Sequence, residues 1–344
     1  GMYLLARFSR LPVLPALVAA FTFSLGGYMA SRLLLRPLML SAAWFPYVFL
    51  CYLYAHYRNV LLGYLFAAVF LALQVLAGMP HNAVYSAIAL GAFALYKAFI
   101  EFPHLRRFRV SLLYLARYAG FITVALLLSS IVLLPTLELL PHTVRTAFDY
   151  ESATSGSLPL KWLPDIFTGG SFHQTRPVGW EFNETNCYLG VIAIWLALFG
   201  LTEHWRKGLF WFYGALVVIS LVFALGSNTP VFKLFYHFPY LKSLGVPALG
   251  RMFDIPSRFL GMTAFALAML AAYGMDSLAK ASIRTPAGKL AGRGKLFIFL
   301  LAAGCLHWGI LLGHLALVHG KAVFKLVLEP ASRDELARFY AFAN

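Results

Sequence analysis

Charge is what this 344-residue chain has least of: only 12% of it is Asp, Glu, Lys or Arg. Acids are the scarcer sign, 13 against 28 bases. A soluble domain cannot hide a composition that is 61% hydrophobic with a mean hydropathy of +0.75, so the chain reads as an integral membrane protein. Cysteine is also sparse. Cys51, Cys187 and Cys305 are far apart and form no CxxC, which leaves no basis for a thiolate metal site or a disulfide framework. HExxH, P-loop and GxSxG patterns are missing, so metalloprotease, NTPase and serine-hydrolase readings have no support.

What is present is a series of apolar runs, each about 20 residues, the length that crosses roughly 30 Å of hydrocarbon. They lack strict alternation, which favours helices over a β-barrel. The expected fold class is all-α, a polytopic helical membrane protein with about nine spans. These fall at 11–31, 37–55, 60–77, 82–100, 112–134, 187–202, 209–226, 257–275 and 296–318. Residues 1–318 then form the transmembrane domain and 319–344 a C-terminal tail. The net charge of +15 suits anionic lipid headgroups and topology control; no motif points to nucleic acid. Bases concentrate in alternate gaps: Arg7 and Arg10, Arg58, Arg106 to Arg109, Arg206 and Lys207, and the run from Lys280 to Lys295. That set is expected to be cytoplasmic. Arg32 and Arg36 fall in the opposite set, with the two long loops 135–186 and 227–256, expected together on the outer face. Within the spans, ionisable groups are few. Lys97 and Arg117 can snorkel from near the cytoplasmic ends, and Gln74, His307 and His314 suit helix–helix hydrogen bonds.

The loop 135–186 holds six of the thirteen acids: Glu138, Asp149, Glu151, Asp165, Glu181 and Glu184. Glu138, His142 and Arg145 are spaced four and three apart, one face of a continuous helix. Pro141 should interrupt that helix. The group reads either as a stripe holding an anionic headgroup or as an interfacial helix with locally paired charges. Asp149 and Glu151 can chelate a divalent cation or supply a general base, or Asp149 can cap a turn. In WEFNETNCYLG, Trp180, Asn183, Glu184 and Tyr188 combine ring faces, an amide and a carboxylate, a set that suits a sugar. The alternative is an aromatic interfacial belt with solvated acids. In the second loop, VFKLFYHF reads as a short interfacial helix. Arg251, Asp254 and Arg258 form a basic cluster suited to a lipid phosphate, or an Asp254–Arg258 ion pair. His81 marks a tight outer turn.

Four stretches resemble, in order and spacing over most of residues 2–278, the YfhO-type bacterial membrane proteins. They are LQVLAGMPHNAVYSAI, LLPTLELLPHTVR with FDYESATSGSLP, ETNCYLGVIAIWLALFGL, and ALGSNTPVFKLFYHFPYL with IPSRFLGMTAFALAMLAAYGMDSL. The resemblance implies a GT-C-like glycosyltransferase in the bacterial cytoplasmic membrane. It would transfer a sugar from a polyprenyl-phosphate donor to an envelope polymer or lipid acceptor at the outer face. The family's catalytic acid lies in a first outer loop; GMYLLARF resembles an internal piece, so that loop is expected upstream. Within this chain, Glu184 and Asp149 are the candidate catalytic acids. Arg145, Arg251 and Arg258 would neutralise the phosphate. Glu138, His142, Glu151, Trp180, Asn183, Tyr188, Asp254 and His81 complete the expected substrate-binding set. Metal dependence is open. A transporter or flippase of lipid-linked saccharides, or an envelope-assembly scaffold, are the alternatives.

Overall fold

The structure, a computed structural model, describes residues 1–33, 35–100, 108–139, 142–143, 150–163, 166, 184–200, 204, 208–237 and 255–283. The chain divides into two compact units, 1–293 and 294–344, and all of the second lies outside the described residues. So do Arg145, Asp149, Trp180, Asn183, Arg251, Asp254 and the expected span 296–318.

Among the described residues there is helix and no strand. Four helical stretches are long and apolar enough to cross a membrane: Val13–Ser31, Arg36–Arg58, Ser111–Leu139 and Pro256–Lys280. The expected run 11–31 is two helices, α2 (Val13–Ser24) and α3 (Gly27–Ser31), following a short α1 (Met2–Phe8). The break has a long-range cause, because the Gly27 amide donates to the Tyr188 carbonyl rather than continuing the helical ladder. Helices α4 (Arg36–Ala43) and α5 (Phe45–Arg58) follow, each with proline in its first turn, where no amide is needed. Next come α6 (Leu61–Leu76) and α7 (Pro80–Leu95), then a five-residue π-helical turn, Tyr96–Ile100. Helix α8 (Phe108–Leu139) contains Pro135. A short α9 (Tyr150–Thr154) precedes α10 (Val191–Phe199), α11 (Gly208–Ala224), α12 (Pro230–His237) and α13 (Leu260–Ile283). The expected span 187–202 contains only the nine-residue α10, because the strap 184–190 is helical only at residues 184 and 185, and Gly190, at φ +89°, turns it into the helix.

Helix α13 is the axis of the bundle. Its apolar window is 89% buried, against 17% for Ser111–Leu139, so one helix is packed on all sides while the other turns most of its surface outward. Alanine explains the first. Ala264, Ala266, Ala268, Ala271 and Ala272 are fully buried and let neighbours approach closely. At Gly274 a Cβ would collide with the Leu196 carbonyl of α10. Larger rings fill what remains: Phe265 packs on Phe49 with centroids 4.7 Å apart, beside Phe45 and Tyr213.

A buried arginine-glutamate cluster at one end of the bundle

The strap 184–188 lies across the starts of α3 and α13, and its hydrogen bonds show why. Tyr188 N–H donates to the Asn186 side-chain oxygen at 3.1 Å, and Gly27 N–H to the Tyr188 carbonyl at 2.5 Å. Cys187 Sγ reaches the Leu260 carbonyl at 3.5 Å. A side chain at Gly27 would meet Tyr188 O and Asn186 Oδ1, so glycine is needed for this close approach.

That strap delivers Glu184 to two guanidiniums. Arg258 donates through Nε (3.1 Å) and Nη2 (2.9 Å) to Glu184 Oε1. Arg32 Nη2 lies 3.9 Å from Oε2 and donates at 2.5 Å to the Glu184 carbonyl. Its Nη1 donates to the carbonyls of Tyr28 (3.2 Å) and Asn186 (3.1 Å) and to Ser31 Oγ (3.1 Å). The Tyr28 ring supplies a face to the same guanidinium, 3.8 Å from centroid to Cζ. Tyr28 reaches this position because residue 261 is glycine; a Cβ there would sit 2.5 Å from the phenol oxygen. The relative exposures of Arg32, Glu184 and Arg258 are 0%, 3% and 6%, so water does little to screen them. Among the described residues, two buried cations flank one buried anion. Glu184 Oε2 has no hydrogen-bond partner. In this arrangement Glu184 orients the Arg258 guanidinium through Oε1 alone.

The two long loops meet beside this cluster. Ser257 N–H donates to Gly156 O (3.1 Å), Leu158 N–H to Ala224 O (2.8 Å), and Asn228 Nδ2 to Leu158 O (3.0 Å). Ile255 is held in the left-handed region (φ +60°) against Gly156, an uncommon conformation for a β-branched residue, just before Arg258. Phe259 stacks on Tyr85 at 3.9 Å and on Phe223 at 5.0 Å.

The other expected site residues are spread out. His81 is buried on α7, one turn before Tyr85. Tyr188 is half-buried in the strap, and Glu151 is exposed on α9. Glu138, on α8, and His142 are both exposed. Among the described residues no group of three or more His, Cys, Asp or Glu converges as a metal site would. Sequence reasoning missed Arg32 as a site residue. Its signal was its place: a base in the gap that charge bias assigned to the less basic side.

A second polar cluster occupies the opposite end of α13. His204 Nε2 lies 2.9 Å from Asp276 Oδ2 and its Nδ1 lies 2.8 Å from Ser277 Oγ. Lys280 Nζ meets Asp276 Oδ2 at 2.5 Å. Eighteen residues of helix separate Arg258 from Asp276, about 27 Å at 1.5 Å per residue.

The fold and site thus define an all-helical chain with helices long and apolar enough to cross a membrane and a buried arginine–glutamate cluster where loop meets bundle. Comparison with protein-family models, with curated proteins and with solved structures finds no match to this chain.

Proposed function

We propose that this chain is the membrane-embedded body of a GT-C-like glycosyltransferase of the bacterial cytoplasmic membrane. It moves a sugar from a polyprenyl-phosphate donor to an envelope acceptor at the outer face. The observation that carries the reading is the Arg32–Glu184–Arg258 cluster, in which two buried guanidiniums flank one carboxylate beside the junction of the two long loops. When the bond between sugar and phosphate breaks, negative charge grows on the departing phosphate. Preorganised guanidiniums stabilise that charge more than they stabilise the intact donor. Glu184 fixes the fork of Arg258, and Tyr28 fixes that of Arg32.

The transport reading requires a polar path through the bundle. Two cavities bounded by described residues, about 560 and 380 Å³, are lined by apolar side chains with Arg117 as their one charged residue.

The experiment is sugar transfer from a polyprenyl-phosphate donor in membranes carrying Arg258→Lys. Lysine keeps the charge but cannot reproduce the two-nitrogen fork. Transfer should fall about 100-fold, the loss typical of one transition-state donor, while the protein still extracts as a folded species. Parental rates in a folded Arg258→Lys protein would refute the assignment.

A further inference from the structure

Away from that cluster, α6 and α8 enclose an open groove of about 560 Å³ on the outside of the bundle. Leu61, Leu65 and Phe121 are among its apolar walls, and Arg117 is its one charged residue. The volume lies in the range of small-molecule sites, roughly 300–1,000 Å³. Arg117 sits three residues before Gly120 on α8, the same face, at the groove's rim. Its guanidinium faces the Tyr64 hydroxyl, to which it donates. Among the described residues no carboxylate pairs with it. A Cβ placed on Gly120 meets nothing within 4 Å, so the floor of the groove is open. The groove begins where α5 ends at Arg58, adding a second base at that end.

We propose that this groove seats one anionic phospholipid. An acyl chain lies along Leu61, Leu65, Gly120 and Phe121, and the lipid phosphate accepts hydrogen bonds from Arg117 beside Tyr64. The occupant is a lipid rather than a free phosphate because the lining beyond Arg117 is apolar. It is an anionic lipid because a zwitterionic headgroup would bring its ammonium toward Arg117 and Arg58 with no carboxylate to receive it. The site is separate from the Arg32–Glu184–Arg258 cluster, and its test does not depend on sugar transfer.

Full-length protein is equilibrated in nanodiscs with equal amounts of phosphatidylglycerol and phosphatidylcholine. Lipids retained after extraction are counted by native mass spectrometry. Phosphatidylglycerol should be retained about five-fold over phosphatidylcholine, the preference one near-surface base gives. Arg117→Gln should reduce that ratio to near one. Gly120→Leu puts a side chain on the open floor, where its Cβ meets nothing, so it should lower retention of the bound lipid without lowering the melting temperature. Equal retention of the two lipids by the parent, or an undiminished preference in Arg117→Gln, overturns the proposal. Full retention in a folded Gly120→Leu protein does so as well.

Discussion

Helix α13 has a buried carboxylate packed near each end, and the two are neutralised differently. Glu184 comes from a strap and is met by Arg258 at the helix start and by Arg32, 152 residues away in sequence. Asp276 is on the helix itself and is met by His204 and by Lys280, one turn on. The first set is closed: both arginines are buried and permanently charged. The second is half-open, because the Lys280 side chain is 43% exposed. The charge of the second set also depends on where one proton sits. Ser277 Oγ lies 3.2 Å from the Tyr273 carbonyl and 2.8 Å from His204 Nδ1, and it has one proton to give. If it gives that proton to the carbonyl, both His204 nitrogens must donate and the ring is a cation. If it gives it to His204, the ring is neutral and donates only to Asp276. One end of the helix is thus a fixed charge and the other an adjustable one.

The largest expected effect breaks the fixed end. Glu184→Ala leaves two buried guanidiniums facing each other across an emptied site. It should cost about 3–5 kcal/mol, the usual penalty for orphaning a buried charge, read as a lowered melting temperature in detergent. Replacing all three with neutral residues of similar volume should recover much of that loss. A Glu184→Ala protein as stable as the parent would mean that the cluster is not closed to water as described.

The comparison also assumes that α13 is a fixed rod between the two clusters. Gly274→Ala tests that assumption, since its Cβ would strike the Leu196 carbonyl. The backbone of α10 cannot rotate away as a side chain would. A loss of about 1–3 kcal/mol is expected from this overpacking. Both clusters should loosen together, visible as faster amide exchange at residues 184–188 and at 204. Loosening at His204 alone would show that the ends are independent.

Much of this frame was legible in the sequence. The apolar runs placed the helices, and the VFKLFYHF pattern placed a short one at Pro230–His237. Helix breaks were less legible. The split at Leu25–Gly26 is caused by a hydrogen bond to Tyr188, and no local window contains both partners. The cluster was half legible. Glu184 and Arg258 stood out as charges at the ends of apolar runs. Arg32 did not, because a lone arginine after a span reads as an ordinary loop base. Its role follows from the carbonyls of Tyr28, Glu184 and Asn186 that surround it, and carbonyls leave no trace in composition.

The smallest effect belongs to the adjustable end. Lys280→Ala removes a partner of Asp276 that is itself nearly half in water, and His204 remains to donate at 2.9 Å. The cost should be at most about 1 kcal/mol, as for exposed ion pairs. It should also shrink as salt is raised from low to molar concentration, where the screening length falls to about 3 Å. The penalty of Glu184→Ala should change far less with salt, because members of the cluster are at most 6% exposed and buried pairs are screened much less. Melting both variants against the parent across that salt range separates the two ends. Matching salt responses would mean that Glu184 and Asp276 are equally accessible to water, and the contrast between a closed and an open charge would fail.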